Sequence, residues 1–535
     1  MKFQQKLKSS GKEHVWREYC GFLDLGIENY MFIQRRLMEE QISLWKNSGM
    51  GRHLLRGDMP ETIEAFRYMM PLTDYSDYAD ILLAKKSEML PGEPVIWIQT
   101  TWECGLRPIK MAPYTREMLD VYKHNVIAVT MLASGRGKGD FNIRDRDRVL
   151  YGGAPLPYAT GLLPSLLNED LNFSWLPDDN ASSGMSFSQR IKAGFSMAIR
   201  GGIDYFFAIG SVANYITEHF GTASSGGKRG LVSPAIAYRY LKAKYMSRRD
   251  GRPITPGDIF RIKGFVCTGT DSACYKDALS KAWGVEPIEI AAGTESTCLA
   301  AGTWEQNGMV FFPNACFYEF IPEGEMLRSF AEPGYQPRTC LMNEVRDGER
   351  YELVISVLHG GAFMRYRIGD VYRCVCAPTG KVPRFTFVDR VPTVIDIAGF
   401  TRITEQSISE VIKLSHLDIG DWLARKEFDE KGAPYLHMYV EIPPEAQQTS
   451  ASQRQVLADH LSAYFRYFDS DYNDLKKLLG MEPLRITSLK YGTISSYRER
   501  TGRYLPRLNP SGMDMAELLG IPDDLPVSPR GGAGQ

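Results

Sequence analysis

Residues 264–295 read GFVCTGTDSACYKDALSKAWGVEPIEIAAGTE, and this stretch decides the fold. Gly264 to Cys267 is a short run rich in β-formers, which predicts a buried strand. Ser272 to Trp283 predicts a helix. Pro287 to Ile290 predicts a second strand, ending in Ala291-Ala292-Gly293-Thr294-Glu295. Strand, helix, strand is the rhythm of an α/β domain. It occurs earlier too: after the Pro91-Gly92 turn, Val95 to Ile98 predicts a strand, Gln99 to Pro113 a polar loop, and Thr115 the cap of a helix running towards Tyr122. Further upstream, Ile27, Tyr30, Met31, Leu37, Met38, Leu44 and Trp45 share one helical face, closed by Asn47-Ser48-Gly49. After Phe311 the pattern turns to β, with Phe317 to Ile321, Tyr351 to Leu358 and Phe363 to Tyr366.

A second unit is expected from about Arg390. Val394 to Ile397 and Leu436 to Ile442 read as strands, as does Arg485 to Leu489. Thr404 caps a helix through Leu414, and Gln453 to Phe468 is a second helix. The expected fold is therefore α/β with a small α+β C-terminal domain: residues 1–389 form the large unit and 390–535 the small one. The tail from Ser528 is Gly-rich.

At 535 residues the chain exceeds one ordinary domain. Its 63 Lys+Arg against 64 Asp+Glu exclude a general polyanion binder, which needs a basic surface. The nine cysteines are scattered and odd in number, so a disulfide framework is not expected, and a reducing cytosol fits. Cys374 and Cys376 alone do not complete a zinc site, and no HExxH pair joins them. The basic start, Met1 to Lys12, lacks the apolar stretch of a signal peptide. The apolar region Ile203 to Ile216 is broken by Asp204 and Asn214, so no membrane partner is expected.

Four stretches could carry chemistry. Thr100 to Lys110 places hydroxyls, backbone amides and a cation between a strand and a helix, which suits a phosphate. Gly293-Thr294-Glu295 puts a carboxylate beside a hydroxyl at a strand's end, suited to Mg²⁺ or, alternatively, to capping a following helix. In Arg365-Tyr366-Arg367-Ile368-Gly369-Asp370, alternation sets both arginines on one face. Gly369-Asp370 is expected to turn the chain and offer a carboxylate to a ribose diol; the alternative is a hairpin with a solvated charged face. The Gly-rich stretch 222–230 reads as a surface loop, and Gly135 to Gly139 lacks a dinucleotide fingerprint.

In this order the motifs resemble those of the adenylate-forming enzymes: a phosphate loop (Thr100 to Lys110), a Gly-Thr-Glu strand end (Ala291 to Glu295), Tyr-Arg-x-Gly-Asp (Tyr366 to Asp370), and a small domain opening at Asp389-Arg390. Within that superfamily the chain is similar to the Gretchen Hagen acyl-acid amido synthetases and to phenylacetate–CoA ligases. Residues Pro71 to Tyr78 resemble both. Phe385 to Arg390, Asp471 to Leu475 and Tyr491 to Ile494 resemble the amido synthetases, and Cys374-Val375-Cys376 the CoA ligases.

The resemblance implies roles. Thr100, Thr101, Gly105 and Lys110 would wrap the ATP phosphates, and Gly269 and Thr270 would lie near the adenine. Thr294 would touch the α-phosphate and Glu295 would bind Mg²⁺. Asp370, assisted by Arg390, would hold the ribose. Arg503 stands nearest to where relatives carry a catalytic lysine. Phe206, Phe207, Val212 and Tyr215, in a helix-like region, would line the acid pocket or else belong to the core. Other departures are Trp102-Glu103-Cys104 in the phosphate loop, Ala291 in place of a stacking tyrosine, and Pro392 at the hinge. The implied activity uses ATP and Mg²⁺ to adenylate a small carboxylic acid, then passes the acyl group to an amine as the small domain rotates. The alternatives are transfer to coenzyme A, and a relative that only binds. No nucleic-acid partner is implied.

Overall fold

A computed structural model of the chain describes residues 2–55, 57, 59–100, 109–178, 184–185, 187–220, 233–399, 401–430, 432–444, 450–468, 483–503 and 505–520. The chain divides into two compact units: one comprises Met1–Thr100 and Lys110–Asp389, and the main part of the other begins at Arg390.

In the large unit, helix α1 (Phe3–Cys20) and helix α2 (Ile27–Lys46) precede a two-stranded ribbon of β1 (Ile96–Thr100) and β2 (Lys110–Tyr114). The polar loop expected up to Pro113 is thus shorter, because its last residues pair with β1: Pro113 lies opposite Trp97 and Lys110 opposite Thr100. A ribbon with only two strands tolerates the proline, which has no N–H to donate. Thr115 then caps α3 (Arg116–Ser134), its Oγ1 accepting the Met118 N–H at 3.1 Å.

The centre of the unit is one twelve-stranded sheet. Its parallel part comprises β3 (Arg148–Gly152), β4 (Ser174–Leu176), β5 (Tyr205–Ile209), β6 (Gly264–Thr268) and β7 (Ile288–Gly293). Helices α4 (Gly210–Glu218), α5 (Pro234–Asp250) and α6 (Ser272–Trp283) belong to its connections. The antiparallel part is built from β8 (Thr297–Gly302), β9 (Met309–Phe311), β10 (Cys316–Pro322), β11 (Cys340–Leu341), β12 (Arg350–Val357), β13 (Tyr366–Cys376) and β14 (Arg384–Arg390).

Aromatic packing fixes the parallel part. Phe206 stacks on Phe265 with ring centroids 4.9 Å apart and lies 4.7 Å from Trp283 of α6. Burying one such ring contributes about 1.5–3 kcal/mol. Phe206 and Phe207 therefore lie on a strand, where the sequence suggested a helix. Phe206 and Val212 are completely buried and Phe207 nearly so. These three belong to the core and not to an open pocket; Tyr215, half-buried on α4, packs its ring against His219 at 4.3 Å.

The small unit opens with the hairpin β15 (Val394–Ile397) and β16 (Thr401–Thr404), followed by α7 (Glu405–Ser415), capped by Thr404 as expected. Then β17 (Asp421–Phe428), which the sequence reading missed, pairs antiparallel with β18 (Pro434–Glu441). After α8 (Ser450–Phe468), β19 (Leu484–Leu489) adds to β18 in parallel. Leu423 and Tyr439 pack with Ile494 and Tyr497 of α9 (Thr493–Thr501) and with Met515 and Leu518 of α10 (Gly512–Leu519).

Candidate active site

The parallel strands bring three chain segments to one edge of the sheet. Ile209 pairs with Thr268, and Thr268 with Ile290, so β5, β6 and β7 end side by side. The crevice beyond the carboxyl ends of such strands is where open α/β sheets bind ligands. Gly210, Gly269 and Thr270, and Thr294 and Glu295 follow those three ends. Gly210 lets α4 meet the start of α6, since a Cβ there would lie 2.9 Å from Ser272 Cα. Gly269 has φ +111°, a conformation that favours glycine.

Glu295 does not precede a helix. Residues 294–296 form the turn of the β7–β8 hairpin, with Gly293 opposite Thr297, so the helix-cap alternative falls. The turn is held by Tyr114, whose hydroxyl donates to the Thr294 carbonyl at 2.6 Å. Burial, reinforced by the nearby Glu295 charge, pushes the Tyr114 phenol far above its ordinary value, which keeps it a donor.

Glu295 is almost fully buried. Its Oε1 accepts the Tyr366 hydroxyl at 3.1 Å and lies 3.8 Å from Lys110 Nζ. Lys110 Nζ also donates to Tyr366 Oη at 3.3 Å and sits 5.5 Å from the Tyr75 ring centroid. Lysine, tyrosine and glutamate thus close a triangle from three distant segments. Residues 71–78 brace it. Tyr75 Oη accepts the Met111 N–H at 2.6 Å, beside Lys110. Thr73 bonds through its backbone to Arg365 and Arg367, on either side of Tyr366. Sequence reading placed Lys110 and Glu295 but gave Tyr366, Tyr75 and Tyr114 no role; the signal was Tyr366 inside its motif.

Asp370 is not at a turn. β13 runs unbroken from Tyr366 to Cys376, and the register shift opposite Glu352–Val354, with Gly369 at φ +79°, marks a bulge. Ile368 Cδ1 would lie 3.3 Å from a Cβ on Gly293, so this strand abuts the Glu295 turn. Arg365 and Arg367 are not a solvated face. Arg365 makes a two-pronged pair with Glu319, both contacts 3.0 Å, and Arg367 pairs with Glu352 at 2.8 and 2.6 Å.

Thr100 is buried at the end of β1, opposite Lys110. Thr101 and Gly105 lie outside the described residues, as does the stretch 222–230. The described residues that flank this stretch, Thr100 and Lys110, belong to two antiparallel strands, where the sequence reading expected a strand and a helix. Arg390 ends β14. In the small unit, Arg503 is engaged by α10: it contacts Asp514 Oδ1 at 3.1 Å and pairs with Glu517. Among the described residues no three His, Cys, Asp or Glu side chains cluster to hold a metal, and the eight described cysteines form no disulfide with one another.

Residues 309–390 match the GH3 family central domain. That match runs from β9 through β14 and includes Tyr366 and Asp370. No curated protein matches the chain in sequence. In structure the chain is similar to AtGH3.15 acyl acid amido synthetase in complex with 2,4-DB, at 15% identity over 95% of this chain and 96% of that one, TM-score 0.52. It is also similar to 2-hydroxyisobutyryl-CoA ligase in complex with 2-HIB-AMP and CoA, at 15% identity over 86% of each chain, TM-score 0.53. The fold is that of the adenylate-forming ligases.

Proposed function

We propose that this chain is an ATP-dependent ligase that activates a carboxylic acid as its acyl adenylate and transfers the acyl group to an amine. The observation that carries the reading is the Lys110–Tyr366–Glu295 triangle beside the carboxyl ends of β5, β6 and β7. Two anions, a carboxylate and a triphosphate, must meet in such a reaction, and a fixed cation lowers that barrier. Lys110 neutralises phosphate oxygens, while Thr100 holds its strand in register with Lys110. The acid's oxygen attacks the α-phosphorus and pyrophosphate leaves in line.

Glu295 fits a magnesium ion. Its Oε1 is engaged by Tyr366, and among the described residues Oε2 has no hydrogen-bond partner. A single carboxylate completed by phosphate oxygens and water is a common Mg²⁺ arrangement. When bound there, Mg²⁺ would neutralise charge on the phosphates. Gly269, Thr270 and Thr294 border the nucleotide in this reading, with Asp370 and Arg390 assigned to the ribose. Arg503 is assigned the cation role that the resemblance implies; in this structure it is paired with Asp514 and Glu517. The amine is favoured over coenzyme A by the GH3 match, since the fold alone is common to amide- and thioester-forming ligases.

The test is pyrophosphate release with a panel of carboxylic acids plus hydroxylamine, wild type against Glu295→Ala. Release with at least one acid, lost in the variant, is expected. Release that survives in a folded Glu295→Ala protein overturns the assignment. Replacing hydroxylamine with amino acids or coenzyme A then decides the acceptor.

A further inference from the structure

Helix α5 has an unusual outer face. Of its seventeen residues, only Ile236 and Ala243 are buried. Tyr238, Leu241 and Tyr245 recur at helical spacing and are 68%, 67% and 68% exposed. They form an apolar stripe opposite the buried side. Helical geometry sets Lys242 along one margin of this stripe and Lys244 and Arg248 along the other. All three cations are exposed, and none makes an ion pair among the described residues. Arg249 is matched by Asp250 at 2.7 Å, and Arg239 turns inward to the Ile259 carbonyl at 3.3 Å.

We propose that this face of α5 docks the protein on an anionic lipid bilayer. Apolar side chains between margins of Lys and Arg suit a helix lying in the membrane interface, with tyrosines at headgroup depth and cations against anionic lipids. The stripe is convex and borne on a single helix, so it suits a soft planar surface better than a protein, which would need a complementary acidic groove. The chain has no helix long and apolar enough to cross a membrane among its described residues, so the contact is peripheral. The inference is independent of the ligase reading.

The test is co-sedimentation of the full-length protein with phosphatidylcholine vesicles and with vesicles containing about one-third phosphatidylserine. Binding to the anionic vesicles alone, released by high salt, is expected. Each Lys or Arg near an anionic surface is worth about fivefold in affinity, so K242E/K244E/R248E should weaken binding about a hundredfold or more. Y238S/L241S/Y245S should weaken it too at unchanged charge. All these positions are exposed, and a melting curve confirms that the variants fold. Absence of binding to anionic vesicles, equal binding to phosphatidylcholine, or full binding by the serine variant would each overturn the proposal. So would vesicle binding unaffected by the charge reversals.

Discussion

Replacing Arg365 by alanine should destabilise the large unit severely, although nothing about the chemistry requires Arg365. Glu319 is a buried carboxylate, its side chain 1% exposed, and Arg365 is 9% exposed. The variant leaves Glu319 with Arg67 at 3.0 Å and Thr339 at 2.6 Å. It also strips the carbonyls of Arg67 and Met70 of donors that approach to 2.6 Å. Breaking a buried pair from one side costs about 3–5 kcal/mol. Arg67 remains, which argues for the lower end, and the two carbonyls add about 1 kcal/mol each. A loss of about 5 kcal/mol moves the urea midpoint down by about 1 M or more at unchanged slope.

Acid sharpens this test. Burial alone would raise the Glu319 pKa, but Arg365 and Arg67 outweigh it and hold the carboxyl below its ordinary value. A depressed folded pKa gives stability that is present above the unfolded value, about 4.3, and lost as pH falls through the folded one. In Arg365→Ala, burial wins and the pKa rises, so the variant gains stability as pH falls through that raised value. The gap between wild type and variant should narrow on acidification. Adding Glu319→Leu to Arg365→Met should recover part of the loss, because the buried carboxylate's desolvation cost disappears, while the carbonyls of Arg67 and Met70 stay without their donor. A single-variant loss under about 1 kcal/mol, or a double variant no better than the single, would refute the reasoning.

Tyr366→Phe should leave the fold intact but loosen Lys110 and Glu295, lowering kcat of adenylation about tenfold or more, read by pyrophosphate release. Arg503→Ala should change stability little, because its pairs with Asp514 and Glu517 lie at a half-exposed site; urea unfolding of the variant checks this. If Arg503 serves the reaction, Asp514→Asn combined with Glu517→Gln should raise turnover by freeing it from both partners, while Arg503→Ala lowers it. In the small unit, burial raises the Glu427 pKa, but hydrogen bonds from His437, Tyr439 and Tyr435 lower it further. That stability is present above the ordinary carboxylate range and lost below it, so Glu427→Gln should flatten the acid limb of a melting-temperature profile.

What could be read from the sequence follows from locality. The helix 272–283 and its flanking strands came from apolar runs, and Thr115 and Thr404 announced their helices, because caps and periodicity act within a few residues. β2 and β17 escaped because their pattern carries weak strand signals and their pairing partners lie elsewhere in the chain. Lys110 and Glu295 were legible only through the order of the motifs; local evidence left Glu295 balanced between metal and cap. Phe206 and Val212 could not be told from pocket residues, since a core and an apolar pocket demand the same side chains.

The sequence alone therefore determined the α/β class, the bounds of the elements with strong local signals, such as the helix 272–283 and the strand 394–397, and the identity of the candidate motifs. Only the tertiary structure decided that Arg365 and Arg367 neutralise buried glutamates, that Gly369-Asp370 is a bulge inside a strand, and that Arg503 is tied to α10. It also decided that Lys110, Glu295 and Tyr366 meet, although Lys110 and Tyr366 stand 256 residues apart in the chain. Charge pairing and burial depend on which distant residues become neighbours, and that information lies in the packing of the sheet, not in any local window.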